Sequence, residues 1–75
     1  MASSRERGGR YQIVFRGESD ILAAAFPALT HEFEHGNTVL TGTILDHAQL
    51  QGLLAQADSL GFELVSLNPI ERGAN

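Results

Sequence analysis

Hydrophobic and polar side chains alternate from residue 10 to residue 16, which predicts a half-buried strand that ends at Gly17. Ser19 follows in a position to cap a helix, and the apolar residues after it recur at helical spacing. Pro27 limits this helix, because the proline ring displaces the preceding turn. The pattern therefore predicts a strand followed by a short helix.

Two strands joined by a tight turn are predicted next. Residues 38–45 are rich in β-branched side chains, and Gly36–Asn37 before them suits a hairpin turn with positive φ. Residues 30–35 then form the partner strand. A helix over residues 28–35 is the alternative, because an apolar stripe continues from the first helix and Gly36 could end it.

The clearest element of the pattern is a second helix that begins after Asp46. Asp46 can cap it, Gln49 lies three residues on as a capping-box partner, and Gly61 suits the left-handed residue that closes a helix. One face of this helix is apolar and comprises Leu50, Leu53, Leu54, Ala57 and Leu60. Residues 62–67 follow as the last strand, which Asn68–Pro69 is expected to end because proline cannot donate to a strand ladder.

The order strand, helix, strand, strand, helix, strand predicts an α+β fold. It is the split βαβ arrangement called ferredoxin-like, in which two right-handed crossovers place both helices on one face of a four-stranded antiparallel sheet. The expected architecture is a two-layer α/β sandwich formed by residues 10–70. Residues 1–9 and 71–75 carry little to bury and are expected to be flexible tails.

Composition narrows the classes of protein to which the chain can belong. With 75 residues and no cysteine, it is expected to form one small domain without a disulfide framework or a thiolate site. Nine acidic residues against five arginines give a net charge of −4, which argues against a nucleic-acid binder. No apolar run approaches the roughly 20 residues that span a bilayer. We therefore expect a cytoplasmic protein whose partners are neither nucleic acids nor membranes.

The second face of the predicted sheet has no helix to cover it. Alternation sends Val14 to that face, and each double-apolar stretch of the later strands must send one member there. The candidate interface residues are Val14, Val39, Leu45 and Val65. An apolar patch on a chain too short for a large core predicts a homodimer that packs sheet on sheet or pairs edge strands. The alternative is scattered aliphatic residues, which every monomer exposes.

Residues 31–35 read His-Glu-Phe-Glu-His and match the helical zinc-protease pattern. On a strand, His31 and His35 would lie about 13 Å apart at roughly 3.3 Å per residue, too far to share one metal ion. Glu32 and Glu34 then serve as charges that guard an edge strand. The minor alternative is a zinc site through His31 and His35 that assembles between two copies of the chain.

The remaining polar residues form no catalytic constellation. Asp46 is more simply a helix cap than an acid, and no nucleophile accompanies His47 beside it. Gly42, in the middle of a strand, is expected to permit a bulge or the close approach of a helix. We therefore expect a protein that is not an enzyme and uses no cofactor.

Three runs of residues and one single residue in the second half of the chain resemble short uncharacterised proteins of actinobacteria. The segments are Thr38-Val39-Leu40-Thr41-Gly42, Asp46, Leu50-Gln51-Gly52-Leu53-Leu54 and Leu60-Gly61-Phe62-Glu63-Leu64. Those proteins likewise pair a Thr-Val-Leu-Thr-Gly strand with a Leu-x-Gly-Leu-Leu helix. The resemblance implies a small α/β fold and carries over neither an activity nor a site residue. Within the Leu50-Gln51-Gly52-Leu53-Leu54 segment, Gly52 is expected to permit close helix packing.

Three functions of different classes are compatible with this pattern. A non-enzymatic, self-associating binding or accessory module would work through its sheet face or an edge strand. A small-ligand sensor would resemble the regulatory ACT domains, which share this topology and bind amino acids at subunit interfaces. A cofactor-free enzyme would resemble the dimeric ferredoxin-like oxygenases, whose cavities need more chain. We expect the first of these functions.

Overall fold

The computed structural model describes residues 9–70 and has the predicted element order. The strands are β1 (Gly9–Arg16), β2 (Thr30–Glu34), β3 (Asn37–Ile44) and β4 (Leu64–Pro69), and the helices are α1 (Asp20–Ala25) and α2 (His47–Ser59). Neighbouring strands are antiparallel in the order β2-β3-β1-β4. The fold is therefore the ferredoxin-like α+β sandwich, which confirms the predicted fold class.

The predicted tails, residues 1–9 and 71–75, lie outside the described residues except for Gly9. Gly9 is the first residue of β1, because it pairs with Ile44 of β3. The strand therefore begins one residue before the predicted start.

The core lies between the sheet and the two helices. Its buried members include Ile13 and Phe15 of β1, Leu40 of β3, Leu22 of α1 and Ala57 of α2. Every residue of β2 is exposed, so the helices leave this edge strand uncovered. Neither helix of the described part of the chain is long and apolar enough to cross a membrane.

Both helices begin at the predicted caps. The Ser19 hydroxyl accepts the N–H of Ile21 at 3.0 Å, and the Asp46 carboxylate accepts the N–H of Gln49 at 2.8 Å. In return, the Gln49 side-chain oxygen accepts the N–H of Leu45. In a capping box the Gln49 side chain would accept the N–H of the cap residue Asp46. Here it accepts the N–H of Leu45, one residue earlier.

The second helix ends in a Schellman motif. Gly61 has a φ of 93°, and its N–H donates to the carbonyl oxygen of Asp58 at 2.9 Å. The N–H of Phe62 donates to the carbonyl oxygen of Ala57 at 3.0 Å. The predicted role of Gly61 is confirmed.

The β2–β3 hairpin turns at His35–Gly36 and not at the predicted Gly36–Asn37. Both turn residues have positive φ, 54° and 81°, as a type I′ turn requires. Asn37 is therefore the first residue of β3 and pairs with Glu34. The alternative helix over residues 28–35 does not form, because a turn follows α1 and residues 30–34 pair with β3.

The last strand starts and ends two residues later than predicted. Phe62 follows α2 and takes part in the hydrogen bonds that close it, and the strand runs through Asn68 to Pro69. The N–H of Ile70 donates to the carbonyl oxygen of Arg10 at 2.8 Å, so the nitrogen of Pro69, one residue earlier, points away from β1. Proline is tolerated in this edge strand because no ladder bond is lost.

The predictions for Gly42 and Gly52 have different outcomes. A Cβ on Gly42 would lie 2.5 Å from Leu29 Cδ2, so the predicted close approach exists, although the turn after α1 makes it and not a helix. A Cβ on Gly52 would meet nothing within 4 Å. The prediction that Gly52 permits close helix packing is wrong, because this position of α2 faces away from neighbouring elements.

Candidate functional site

The sheet face opposite the helices is the candidate interface and is named the open face. Ile13 and Leu40 pair with each other and are buried in the helix-side core, so their neighbours Val14 and Val39 point to the other face. The open face has three cross-strand rows, Arg16–Asn37–Glu34, Ser66–Val14–Val39–Glu32 and Asn68–Gln12–Thr41–Thr30, with Arg10 and Thr43 beyond them.

Two valines form the apolar centre of the open face. Val39 is only 5% exposed and Val14 is half-buried, among hydroxyl and amide side chains. Leu45 is 68% exposed and lies after the end of β3, in the loop before α2. Val65 is the extra residue of a β-bulge in β4 and is 46% exposed. Its place in the interface stays a prediction, because the bulge interrupts the alternation from which its direction was inferred.

Opposite charges lie on either side of β3 on the open face. Arg10 and Arg16 belong to β1, whereas Glu32 and Glu34 belong to β2. Arg16 Nε donates to Glu63 Oε1 at 3.0 Å, with both side chains about two-thirds exposed (68% and 67%). This pair leaves the Nη groups of Arg16 able to bind a second carboxylate.

Sequence reasoning missed this charge arrangement. Alternation alone places Arg10 and Arg16 on the same side as Val14. Only the register of β1 and β2 on β3 shows that Glu32 and Glu34 lie across the same face. Strand register is a property of the whole sheet, so no local signal could have given it.

Both edges of the sheet carry features that discourage pairing with another strand. The β2 edge presents Glu32 and Glu34, and like charges at an edge oppose a second copy. The β4 edge has a bulge and Pro69, which lacks the N–H that a new ladder needs. Glu32 and Glu34 also lie on the open face, but there they face no row of like charges alone, because Arg10 and Arg16 lie across β3 from them.

The histidines do not form the zinc-protease arrangement. His31 lies in β2 with its ring edge-on to Phe33, at 5.7 Å between centroids and 66° between planes. His35 lies in the hairpin turn, so the two histidines share neither a helix nor a strand. Within residues 9–70, no group of three His, Asp or Glu side chains is placed to hold a metal ion. A zinc site through His31 and His35 stays a prediction that depends on a second copy of the chain.

A family described as "Domain of unknown function (DUF8691)" matches residues 10–68 of the chain. The match includes nearly all of the sheet and every row of the open face. No curated protein and no solved structure matches the chain. The resemblance to short actinobacterial proteins stays a prediction, because the family description names no source organism.

Proposed function

The chain belongs to the DUF8691 family, whose function is unknown, and we propose that it is a small non-enzymatic binding or accessory module that self-associates through its open face. The observation that carries the proposal is the separation of charge on that face, with arginines on one side of β3 and glutamates on the other. Such a face is complementary to a rotated copy of itself.

A two-fold axis that runs parallel to β3, in the plane between the two packed sheets, brings the opposite charges together. In a contact of this symmetry both copies use the same patch, and strands equally far from the axis face each other. Because β1 and β2 are the two neighbours of β3, β1 of one copy would face β2 of the other. Arg16 and Glu34 flank Asn37 in one row, so each Arg16 would face the Glu34 of the second copy. Val39 would face Val39 at the centre.

The area of the open face predicts weak and reversible association. Four strands about 4.8 Å apart and roughly 20 Å long present roughly 400 Å². A standard stable interface buries about 800 Å² on each partner. The open face offers about half of that, so we expect a dimer with a Kd above roughly 1 µM.

Two charge-reversal variants test this geometry. Arg16→Glu and Glu34→Arg each place like charges opposite one another in the homodimer, so each variant is expected to sediment as a monomer where the natural chain dimerises. An equimolar mixture is expected to dimerise, because the glutamate introduced in one variant faces the arginine introduced in the other. Sedimentation equilibrium over a range of concentrations measures all three samples.

Two control variants separate this effect from general changes of charge. Glu63→Gln removes the ion pair with Arg16 but leaves the open face intact, and Glu18→Arg changes the charge as Glu34→Arg does but lies on a loop. Both controls are expected to dimerise like the natural chain. A natural chain that stays monomeric at millimolar concentration, or a mixture of reversed variants that stays monomeric, would overturn the proposal.

The ACT-like alternative shares this element order and depends on the same self-association, since ACT domains bind amino acids between subunits. A thermal-shift screen with amino acids tests it, because a ligand that binds only the folded state raises the melting temperature. If an amino acid raises the melting temperature of the natural chain but not that of Arg16→Glu, the ACT-like alternative is supported.

A further inference from the structure

A hollow of about 210 Å³ lies between the turn after α1 and the helix α2. It is named the α1–α2 hollow. Its walls are Phe26 and Leu29 on one side and Leu53 on the other, with Ala25 and Ile44 between them and Gln49 as its single polar member. It shares no residue with the open face, so a ligand in the hollow would bind whether or not the chain self-associates.

The walls of the hollow are held in place without a ligand. The N–H of Leu29 donates to the carbonyl oxygen of Phe26 at 3.0 Å, which closes the turn. The Leu29 side chain rests against Gly42, where any Cβ would collide with it. Ile44 and Leu53 are buried in the core. Binding would therefore cost little reorganisation, which is typical of small-molecule sites.

Gln49 lines the hollow as an exposed residue, and its side-chain amide is the hydrogen-bond donor available there. Its Oε1 accepts the N–H of Leu45, which fixes the amide plane and identifies the other terminal atom as Nε2. Within residues 9–70, Nε2 makes no hydrogen bond. No charged side chain is among the residues of this part of the chain that line the hollow, so a charged ligand would lose its hydration without compensation.

We infer that the α1–α2 hollow binds a small uncharged aromatic molecule that carries one hydrogen-bond acceptor, which the Nε2 of Gln49 contacts. An enclosed cavity of about 150 Å³ lined by leucine, isoleucine and phenylalanine binds benzene. The α1–α2 hollow is larger but opens to solvent at the exposed residues Pro27, Ala28 and Gln49, so it admits a benzene ring with a short substituent that extends towards water. The acceptor distinguishes this ligand class from plain hydrocarbons, because a hydrocarbon that displaces water from the Gln49 amide cannot accept its hydrogen bond.

A matched pair of probes tests the inference. Acetophenone and ethylbenzene have nearly the same shape, but only acetophenone has a carbonyl acceptor. In a ¹H–¹⁵N correlation titration of the full chain, both are expected to shift the amides of Ala28 and Leu29 in a saturable way. Acetophenone is expected to bind about fivefold more tightly, as one net hydrogen bond provides, and to shift the side-chain NH₂ of Gln49. Titrations that do not saturate at these residues would overturn the inference.

Variants then test the donor and the volume separately. Gln49→Glu keeps an acceptor for Leu45 but lacks the donor, so acetophenone is expected to fall to the affinity of ethylbenzene. Ala25→Leu fills the hollow and is expected to abolish binding of both probes, whereas Ala24→Leu on the exposed side of α1 is the matched control that keeps it. The inference is wrong if Gln49→Glu retains the preference for acetophenone, or if a folded Ala25→Leu chain binds as the natural chain does.

Discussion

The hydroxyl of Thr38 donates a hydrogen bond to the carbonyl oxygen of Gly17 at 2.6 Å, across 21 positions of the sequence. The same oxygen of Thr38 accepts the N–H of Ser19 at 3.1 Å. Thr38 is completely buried in β3, so one side chain ties the end of β1 and the cap of α1 to the central part of the sheet. This relationship sets where the first crossover leaves the sheet.

Removing that hydroxyl is expected to destabilise the fold. Thr38→Val keeps the volume but leaves the carbonyl of Gly17 and the N–H of Ser19 without their partner. The loss should be about 1–3 kcal/mol in the free energy of unfolding, the range for buried polar groups left unpaired. Urea denaturation followed by circular dichroism measures it.

Thr43→Val is the matched control on the same strand. Thr43 is exposed on the open face, and its change should stay within about 0.5 kcal/mol. Equal stability of the two variants would show that the hydroxyl of Thr38 does not hold the crossover in place.

Local signals in the sequence predicted the helices well. Ser19, Asp46 and Gly61 each act on groups within a few residues, so a pattern of neighbouring residue types reveals them. The role of Thr38 could not be predicted, because its partner Gly17 is brought to it only by the completed crossover. The α1–α2 hollow likewise depends on residues that only the fold assembles.

The hairpin shows how the sheet overrides a local preference. Gly36–Asn37 suits a positive φ by residue type, yet the chain turns at His35–Gly36. That choice pairs Phe33 with Thr38 and His31 with Leu40. A turn one residue later would change the partner of every residue in the hairpin, so the register of the sheet outweighs the intrinsic cost of a positive φ at histidine.

Gly42→Ala is expected to strain the contact between β3 and the turn after α1. The added Cβ would lie 2.5 Å from Leu29 Cδ2, so the turn or the side chain must move. Because the colliding atom is the end of a side chain, the expected loss is that of a displaced rotamer, about 0.5–1.5 kcal/mol, measured by urea denaturation. Adding Leu29→Ala removes the colliding atom, so the double variant should lose less stability than the sum of the single variants. Additive losses would mean that the collision is not the cause.

Gly52→Ala is expected to stabilise the protein. Gly52 lies in the middle of α2 with nothing within 4 Å of an added Cβ, and alanine in place of a helical glycine contributes about 0.5–1 kcal/mol. Gly61→Ala should have the opposite effect, because Gly61 has a φ of 93°, which is strained for alanine. Thermal unfolding of both variants measures the difference. A lower melting temperature for Gly52→Ala would show that this glycine has a packing role after all.

The glutamates of β2 are expected to oppose association through the edge of the sheet. All residues of β2 are exposed, and the strand leaves its outer backbone groups free to pair with another chain. Changing both Glu32 and Glu34 to valine removes the charges that oppose such pairing and makes the edge apolar. We expect light scattering at neutral pH to detect association through this edge at concentrations where the natural chain is monomeric.

The same replacement also removes the carboxylate proposed to face Arg16, so the double variant should lose the open-face dimer and associate through the β2 edge instead. The control changes Glu18 and Asp58 to valine, which removes the same two charges at exposed positions away from the sheet. Such association in both double variants would assign the effect to lower net charge. Such association in the β2 variant alone would show that the edge carboxylates restrict how this chain associates. Association in the natural chain would then be directed to the open face, because the bulge and Pro69 already obstruct the β4 edge.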